Sequence, residues 1–518
     1  MIRIRGNTAR YGYNVRGELI AATNTAPVAR YAYNPWNGLV SAVTNGVGLV
    51  AEYQYDVMDR PTNIVWRAPG GGVLASFRYA YNALGMITDR ARSVGTNEVA
   101  TAYGYDDLDR LASETESTGV SRTYGYDLAG NRLFKTETGS ATTAYSLGVG
   151  NRLATYTGGS YTHNAAGCAT SIDRTGKPDL DLTWNGQYQL TSVSTNGVVA
   201  ESYVYDPLGR SASTTTGGVT IRHVYDGVHC AADIDSAGAV VRSYTRGPGI
   251  DNLLAVTCHS GSSSTTYYAL TDIQGTVHGF ADAGGNLVAR YAYDAWGNLT
   301  AADVAVSDLA DNRYLFQGRE YSHATGLYNF RLRWYDPATG RWISKDPIGI
   351  SGGLNLYAFC GNDPVNYMDP MGLAQHLVSV DDRGDGRYGP DIDWGDNPLG
   401  GGRRSPFPPL PPTPLDWALK ARRAGEEYGW PYAHVLANAG ITSDYGRLVA
   451  YFFSMGKEFV DLAKGVCGNE DSLYSAFQSL DFEMNRIGRS IPDGVEPEEW
   501  AAPYKNYPEG PPGPFYRD

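Results

Sequence analysis

Cysteine pairs, basic charge and long apolar runs are all scarce in this chain of 518 residues. Its five cysteines are scattered and free of CxxC spacing, which indicates neither a disulfide framework nor a zinc site. The formal net charge of −13 argues against nucleic-acid binding as the main role. No apolar run approaches the length of a membrane-spanning helix. The first residues, MIRIRGNTARYGYNVRG, lack the apolar region of a signal peptide.

Glycine and tyrosine are abundant instead. The chain has 63 glycines, and its 39 tyrosines outnumber its 13 phenylalanines. Only 19% of its residues are charged. Tyrosine suits a sheet face that is half buried and half in contact with water, and glycine suits tight turns. The composition therefore favours a mostly β protein over a helical one.

A repeat with the pattern Tyr-x-Tyr-Asp-x-x-Gly-Arg/Asn runs through roughly the first 300 residues. Early copies lie about 20 to 26 residues apart, a period typical of arrays of stacked units. The clearest copies are centred on Tyr55-Asp56, Tyr105-Asp106, Tyr126-Asp127, Tyr205-Asp206 and Tyr293-Asp294. Copies such as RYAYNPWNG carry Asn in place of Asp, and the pattern weakens between about Tyr145 and Leu190.

Each repeat predicts one β-hairpin. The two tyrosines share a strand face because side chains alternate with period 2. The Asp or Asn opens a turn, the following Gly closes it, and a second strand comes next. One hairpin is marginally stable, so neighbouring hairpins are expected to pair into a continuous antiparallel ribbon. In that ribbon the Tyr of each Tyr-Asp pair should stack on the next repeat. The alternative is a set of ordinary hairpins in a sandwich.

The stretch from Arg331 to Leu373 differs from the repeats. Three of its Asp-Pro pairs, at Asp336, Asp346 and Asp369, are followed by a nearby Gly, which is turn chemistry. The pieces YDPATGRWISKDPIG, GGLNLYAFCGNDPVNYMDP and DPMGL closely resemble the core that ends the repeats of RHS/YD-repeat proteins. This family includes bacterial polymorphic toxins, shell components of insecticidal toxin complexes, and teneurins.

The resemblance implies an aspartic self-protease in this core. Family members that release their C-terminal module cut after the Leu of a terminal Asp-Pro-x-Gly-Leu. Carried over, this makes Asp346 and Asp369 the catalytic pair, Arg333 their partner, and Leu373–Ala374 the scissile bond. Two close carboxylates cannot both ionise, so one could act as acid while the other activates water.

Two alternatives to this assignment stay open. Asp346 and Asp369 could serve only as turn openers. Asp336 and Asp363 also precede proline and are rival members of the catalytic pair. We expect no cofactor and no metal.

After Leu373 the composition changes. Residues 374–414 are rich in Gly, Asp and Pro and are predicted to be a linker. Residues 415–518 follow a helical period, with helices expected near 415–428, 444–464 and 471–488. The predicted organisation is therefore repeats over 1–312, core over 313–373, linker over 374–414 and a small α-helical module over 415–518.

These parts suggest two functions. In the first, the repeats form a shell that carries the C-terminal module as toxin-like cargo and releases it by self-cleavage. In the second, the ribbon is a non-cleaving structural or adhesive surface protein. The start within a repeat also suggests a fragment of a longer protein. The resemblance further implies secretion or cell-surface display, and an immunity protein or a second shell component as partner.

The predicted shell is partial. Each sheet residue covers about 16 Å², so even an all-strand region up to Leu373 gives about 6,000 Å². Surrounding a folded module of the predicted size needs roughly 7,000 Å². Loops reduce the coverage further, so we expect an open shell or one that is completed by other chains.

Overall fold

The computed structural model describes residues 10–16, 18–23 and 29–377. All of them belong to one compact unit. Their regular structure is almost entirely β, with short 3₁₀ helices and no α-helix among the described residues. No helix in these ranges is long and apolar enough to cross a membrane. The predicted helical module, residues 415–518, and nearly all of the predicted linker lie outside the described residues.

Twenty-eight strands, all from the described residues, make up the repeat region. They are β1 Arg10–Tyr13, β2 Leu19–Thr23, β3 Ala29–Tyr33, β4 Val40–Thr44, β5 Val50–Tyr55, β6 Pro61–Arg67, β7 Val73–Tyr81, β8 Ile87–Val94, β9 Asn97–Tyr105, β10 Leu111–Glu116, β11 Ser121–Tyr126, β12 Arg132–Glu137, β13 Thr143–Leu147, β14 Leu153–Tyr156, β15 Gly159–His163, β16 Ala169–Arg174, β17 Leu180–Trp184, β18 Leu190–Thr195, β19 Val198–Tyr205, β20 Ser211–Thr216, β21 Val219–Asp226, β22 His229–Ile234, β23 Val240–Arg246, β24 Leu253–Ser260, β25 Ser263–Thr271, β26 Val277–Ala281, β27 Leu287–Tyr293 and β28 Leu299–Val304.

The core segment contributes shorter elements. Its strands are β29 Glu320–Tyr321, β30 Tyr328–Phe330, β31 Arg333–Asp336, β32 Arg341–Trp342 and β33 Tyr367–Met368. β34 His376–Leu377 lies in the predicted linker and pairs with β33. The 3₁₀ helices of the described chain are Val149–Asn151, Ser307–Leu309, Phe316–Gly318, Gly349–Gly352 and Cys360–Asn362.

The predicted ribbon is confirmed. Each strand from β1 to β28 pairs antiparallel with its neighbours in sequence, and together they form one 28-stranded sheet in the described chain. Tyr55, Tyr105 and Tyr205 end β5, β9 and β19 of this same sheet. At each of these tyrosines the register shifts by a bulge as the strand enters its turn.

The Asp that opens each turn also caps that turn with its side chain. In the turn after β9, Asp106 Oδ1 accepts the backbone N–H groups of Leu108 and Arg110, both at 3.0 Å. Asp106 Oδ2 accepts Arg110 Nε–H at 2.7 Å. Asp109, with φ of 58°, takes the left-handed position that Gly holds in other copies. The recurrence of Asp and Arg at this spacing thus has a local cause.

The Tyr and Arg of the pattern join neighbouring repeats. Tyr126 donates its hydroxyl hydrogen to Leu111 O at 2.8 Å. The guanidinium carbon of Arg110 lies 4.8 Å from the centroid of the same Tyr126 ring. Arg60 with Tyr81 and Arg210 with Tyr225 repeat the arrangement. The predicted stacking on the next repeat was wrong in direction, because each Tyr packs on the turn that precedes it.

The weakened copies keep this geometry. In WNGQYQL, Trp184 stands in the place of Tyr and donates Nε1–H to Ala169 O at 2.6 Å. Asn185 Oδ1 accepts the backbone N–H groups of Gln187 and Gln189 at 2.9 and 3.0 Å. An indole and an amide therefore replace the phenol and the carboxylate without interrupting the ribbon.

One face of the ribbon packs against the core segment. β29–β32 form a small sheet, and most of its aromatic rings lie in the larger hydrophobic cluster, with Tyr335 stacked on Phe359 at 4.0 Å between centroids. Trp334 of β31 packs in the second cluster. Polar contacts add to this: Asn366 Nδ2–H donates to Tyr105 Oη at 2.9 Å, and Arg341 binds Asn131 Oδ1 at 3.2 Å. These contacts join the core segment to strand ends and turns of the ribbon.

Candidate active site

Asp346 lies in the turn that follows β32. Its backbone N–H donates to Leu356 O at 3.1 Å, and its Oδ1 accepts Ile348 N–H at 3.0 Å. Pro347 presets the turn, and Gly349 closes it with φ of 62°. One carboxylate oxygen is therefore used as a turn cap, which leaves Oδ2 for a further partner.

Asp369 repeats the arrangement next to the predicted scissile bond. Its Oδ1 accepts Leu373 N–H at 2.8 Å, and Gly372 N–H donates to Asp369 O at 3.2 Å. One of the predicted catalytic carboxylates thus holds Leu373, the residue on the N-terminal side of the predicted scissile bond. Its Oδ2 also remains for another partner.

Arg333, at the start of β31, binds both aspartates. Its Nη1 lies 2.9 Å from Asp346 Oδ2, and its Nη2 lies 3.0 Å from Asp369 Oδ2. Its Nε–H donates to Gly372 O at 2.5 Å. All three charged side chains are only 3% exposed. The planar guanidinium thus joins two turns and the chain next to Leu373 at one buried point.

The Leu373 carbonyl and the Asp346 carboxylate both lie close to Gly352. A Cβ on Gly352 would lie 2.6 Å from Leu373 O and would clash with Asp346 Oδ2 as well. The carbonyl and the carboxylate therefore face the same small space, which only a residue without a side chain leaves open.

Burial is the main electrostatic influence at this site. Desolvation raises the pKa of Asp346 to about 6, although Arg333 opposes the rise and Asp369 adds to it. Desolvation also raises the pKa of Asp369, again against the effect of Arg333. From the sequence we expected repulsion between the two carboxylates to keep one of them protonated. In the structure Arg333 binds both carboxylates, and burial raises their pKa values more than their mutual repulsion does.

The rival aspartates have other partners. Asp336 Oδ2 accepts hydroxyl hydrogen bonds from Tyr161 and, at 3.2 Å, from Thr339. Asp363 Oδ2 accepts Asn366 Nδ2–H at 2.8 Å, and burial raises the pKa of Asp363 to about 6. Both serve as turn openers, and neither is an ion-pair partner of Arg333 within the described chain.

A second buried group, His223, Cys230 and Asp233, offers ligand atoms within 4.8 Å of one another. However, Arg313 Nη2 lies 3.1 Å from Asp233 Oδ1, and Arg313 Nη1 lies 3.1 Å from His223 Nε2. A guanidinium therefore already supplies the positive charge that a metal ion would bring. We therefore interpret these three side chains as a buried structural cluster and not as a metal site.

Sequence reasoning missed several residues near the scissile bond. Gly352 stands in SGGLN, where a glycine pair is typical of any loop. Arg331 and Asp251, which hold the segment before Leu373, form an ion pair across 80 residues. No short-range pattern marks such a pair.

Known proteins match the chain over the repeats and the core. A model of the teneurin YD-shell family matches residues 1–122 and 70–365. The tRNA3(Ser)-specific nuclease WapA of Bacillus spizizenii is 30% identical over 72% of this chain and 16% of its own length. Double-stranded DNA deaminase toxin A of Burkholderia cenocepacia is 27% identical over 62% of this chain and 23% of its own.

The fold also has solved counterparts. A structure of the Tc holotoxin pore of Photorhabdus luminescens aligns with a TM-score of 0.58 and 20% identity, over 72% of this chain and 21% of that one. The chain thus spans less than a quarter of each of these three proteins. With a continuous ribbon, a core segment packed against it and a family match over most of its length, the chain belongs to the teneurin YD-shell family of RHS/YD-repeat shell proteins.

Proposed function

We propose that this shell protein carries its C-terminal region as cargo and releases it by hydrolysing its own Leu373–Ala374 bond. The observation that carries the proposal is the placement of Arg333, which binds Asp346, Asp369 and the Gly372 carbonyl beside that bond. Denaturing mass spectrometry of the purified chain tests it, because cutting yields residues 1–373 and 374–518.

The geometry supports different roles for the two carboxyl groups. Asp346 faces the Leu373 carbonyl, and protonated Asp346 would donate to that oxygen and polarise the carbon. Ionised Asp369 would take a proton from the attacking water. The water oxygen bonds to the Leu373 carbon while the carbonyl oxygen takes the proton of Asp346. The bond to Ala374 nitrogen then breaks as that nitrogen takes the proton held by Asp369, and a hydroxyl of the intermediate returns a proton to Asp346. A tethered peptide makes a modest catalyst sufficient for one turnover.

The cutting rate should fall as the pH rises through about 6. Since burial raises the pKa of Asp346 to about 6, most of this carboxyl is protonated at pH 5. Its protonated fraction is ~100-fold smaller at pH 8. The rate constant for cutting should therefore fall by as much as ~100-fold from pH 5 to pH 8, as measured by mass in a series of buffers. The fall is smaller to the extent that Asp369, whose pKa burial also raises, ionises over the same range.

The direction of this pH dependence follows from the raised pKa of Asp346. A raised carboxyl pKa favours the protonated form in the folded protein, so this preference is present at low pH and lost as the pH rises through about 6. Arg333 and Asp369 are the charged groups that face Asp346. Burial lowers the pKa of Arg333 and the two carboxylates oppose this fall, and arginine keeps its proton in proteins at these pH values. A rate that stays flat or increases from pH 5 to pH 8 would remove Asp346 from the role of acid.

The cargo would comprise the linker, residues 374–414, and the helical module, residues 415–518. The nuclease and toxin names of the relatives support a toxin-like effector in this position. The complexes formed by structural counterparts support a further shell or delivery component as partner. We extend the proposal to a partial shell that other chains complete, to an immunity protein that binds the effector, and to secretion or surface display.

One observation favours the alternative, a structural or adhesive shell that does not cut. Asp346 and Asp369 each cap a turn through Oδ1, which is a sufficient structural reason for both residues. In that case the purified wild-type chain stays intact under denaturing conditions. The ion pairs with Arg333 would then serve only to hold the core together.

A further inference from the structure

Three consecutive residues hold three consecutive carbonyl groups just before the proposed cleavage site. Arg331 Nη1–H donates to Pro370 O at 2.5 Å. Leu332 N–H donates to Met371 O at 3.3 Å and is shared with Phe330 O at 2.9 Å. Arg333 Nε–H donates to Gly372 O at 2.5 Å. We call residues 331–333 the carbonyl clamp. It binds the main chain of the segment, so it selects the position of the peptide and not the side chains of residues 370–372.

The carbonyl clamp requires glycine before the cut residue. Gly372 has φ of 68°, and a Cβ there would lie 2.8 Å from Phe330 O and 3.0 Å from Arg333 N. The close approach of the clamp therefore excludes any side chain at this position. The clamp and the segment that it binds both belong to the core.

The first member of the clamp is oriented from outside the core. Arg331 has φ of 68°, an uncommon conformation for a residue with a side chain. Its Nη1 and Nη2 lie 2.8 and 2.7 Å from Asp251 Oδ2 and Oδ1, an arrangement that fixes the guanidinium plane. Asp251 is 1% exposed and lies in the ribbon connection between β23 and β24.

We infer that Asp251 is a positioning residue for the cutting reaction, acting through Arg331 on the peptide before Leu373. The inference rests on the proposed self-cleavage and deepens it. Asp251 comes from the ribbon, whereas Arg331 and the bound segment come from the core. Cutting therefore depends on the docking of the β23–β24 connection onto the core. The cargo stays attached until this part of the shell has folded.

A structural role for Asp251 must be separated from this one. Asp251 also accepts Arg319 Nη1–H at 2.8 Å, so its loss takes the directly bonded carboxylate from two buried guanidinium groups and leaves Glu320 as a nearby negative charge. Asp233 offers a matched control. It is 3% exposed, lies on ribbon strand β22, and pairs with Arg313 at 3.1 Å. Asp233→Asn therefore removes a buried ribbon carboxylate that does not touch the clamp.

The experiment follows the cutting of full-length chains that are pulse-labelled in cell-free translation. Asp251→Asn and Arg331→Met should each slow cutting ~10- to 100-fold, the effect of one lost charge-assisted hydrogen bond. Arg331→Lys should recover part of the rate because an ammonium can still reach Pro370 O or Asp251. Asp233→Asn should cut at nearly the wild-type rate. Asp251→Asn should also leave the pH midpoint of cutting unchanged, since Asp251 transfers no proton.

Thermal melting of the same variants completes the comparison. Slower cutting in Asp251→Asn than in Asp233→Asn, at a similar loss of Tm, supports the positioning role. Wild-type rates in Asp251→Asn and Arg331→Met would overturn it, as would equal slowing in Asp233→Asn. An uncut wild-type chain would instead overturn the proposed self-cleavage on which the inference rests.

Discussion

Asp346→Asn is expected to fold and to remain a single uncut chain. The amide keeps an oxygen that can cap Ile348 N–H, so the turn after β32 should survive. It cannot donate an acidic proton to the Leu373 carbonyl. Loss of a general acid of this kind costs about 100- to 10,000-fold in rate. Denaturing mass spectrometry over several days, with a thermal melt to verify folding, measures both parts of the expectation.

Two companion variants sharpen the result. Asp369→Asn should also stay uncut, because it removes the carboxylate that binds both Leu373 N–H and Arg333. Asp336→Asn is the control: its carboxylate binds Tyr161 and Thr339 and should not affect cutting. If Asp336→Asn blocks cutting while Asp346→Asn cuts normally, the self-protease stands but the catalytic pair is misassigned.

Gly352→Ala is expected to stop cutting by displacing the Leu373 carbonyl and the Asp346 carboxylate from each other. Gly352 has no positive φ, so alanine is sterically allowed by the backbone itself. The new methyl group would occupy the space between Leu373 O and Asp346 and push them apart. A displacement of about 1 Å between reacting groups can cost ~100-fold in rate. The amount of uncut chain, followed by mass, gives the measurement.

Gly186→Ala provides the matched control for this change. A Cβ at Gly186 would meet nothing within 4 Å, and its φ is also not positive. This variant should cut like the wild type and melt at nearly the same temperature. A Gly352→Ala chain that cuts at the wild-type rate would show that the Leu373 carbonyl does not need its present distance from Asp346.

The local chemistry of the repeats was readable from the sequence. Tyr-x-Tyr followed by Asp and Gly predicts a strand and a tight turn, and repetition of the pattern predicts a ribbon. The contact between the Arg of one repeat and the Tyr of the next could not be predicted from the sequence. Arg110 binds Asp106 in its own turn, but its ring partner, Tyr126, belongs to the following repeat. A sequence shows that Arg recurs, not which ring it meets.

The site divides in the same way. Asp-Pro-x-Gly spacing explains why Asp346 and Asp369 each cap a turn. That one arginine binds both carboxylates depends on how β31 packs between the two turns, which no spacing encodes. The contribution of Asp251 depends on tertiary structure still further, because its partner Arg331 lies 80 residues away.

The central claim, that the core cuts the chain after Leu373, is tested most directly by one measurement. The purified wild-type protein is denatured, and the masses of all its chains are determined after days at pH 5 and pH 7. We predict two chains, one ending at Leu373 and one beginning at Ala374. A single full-length chain of 518 residues at both pH values would contradict the claim and leave Asp346, Asp369 and Arg333 as structural residues.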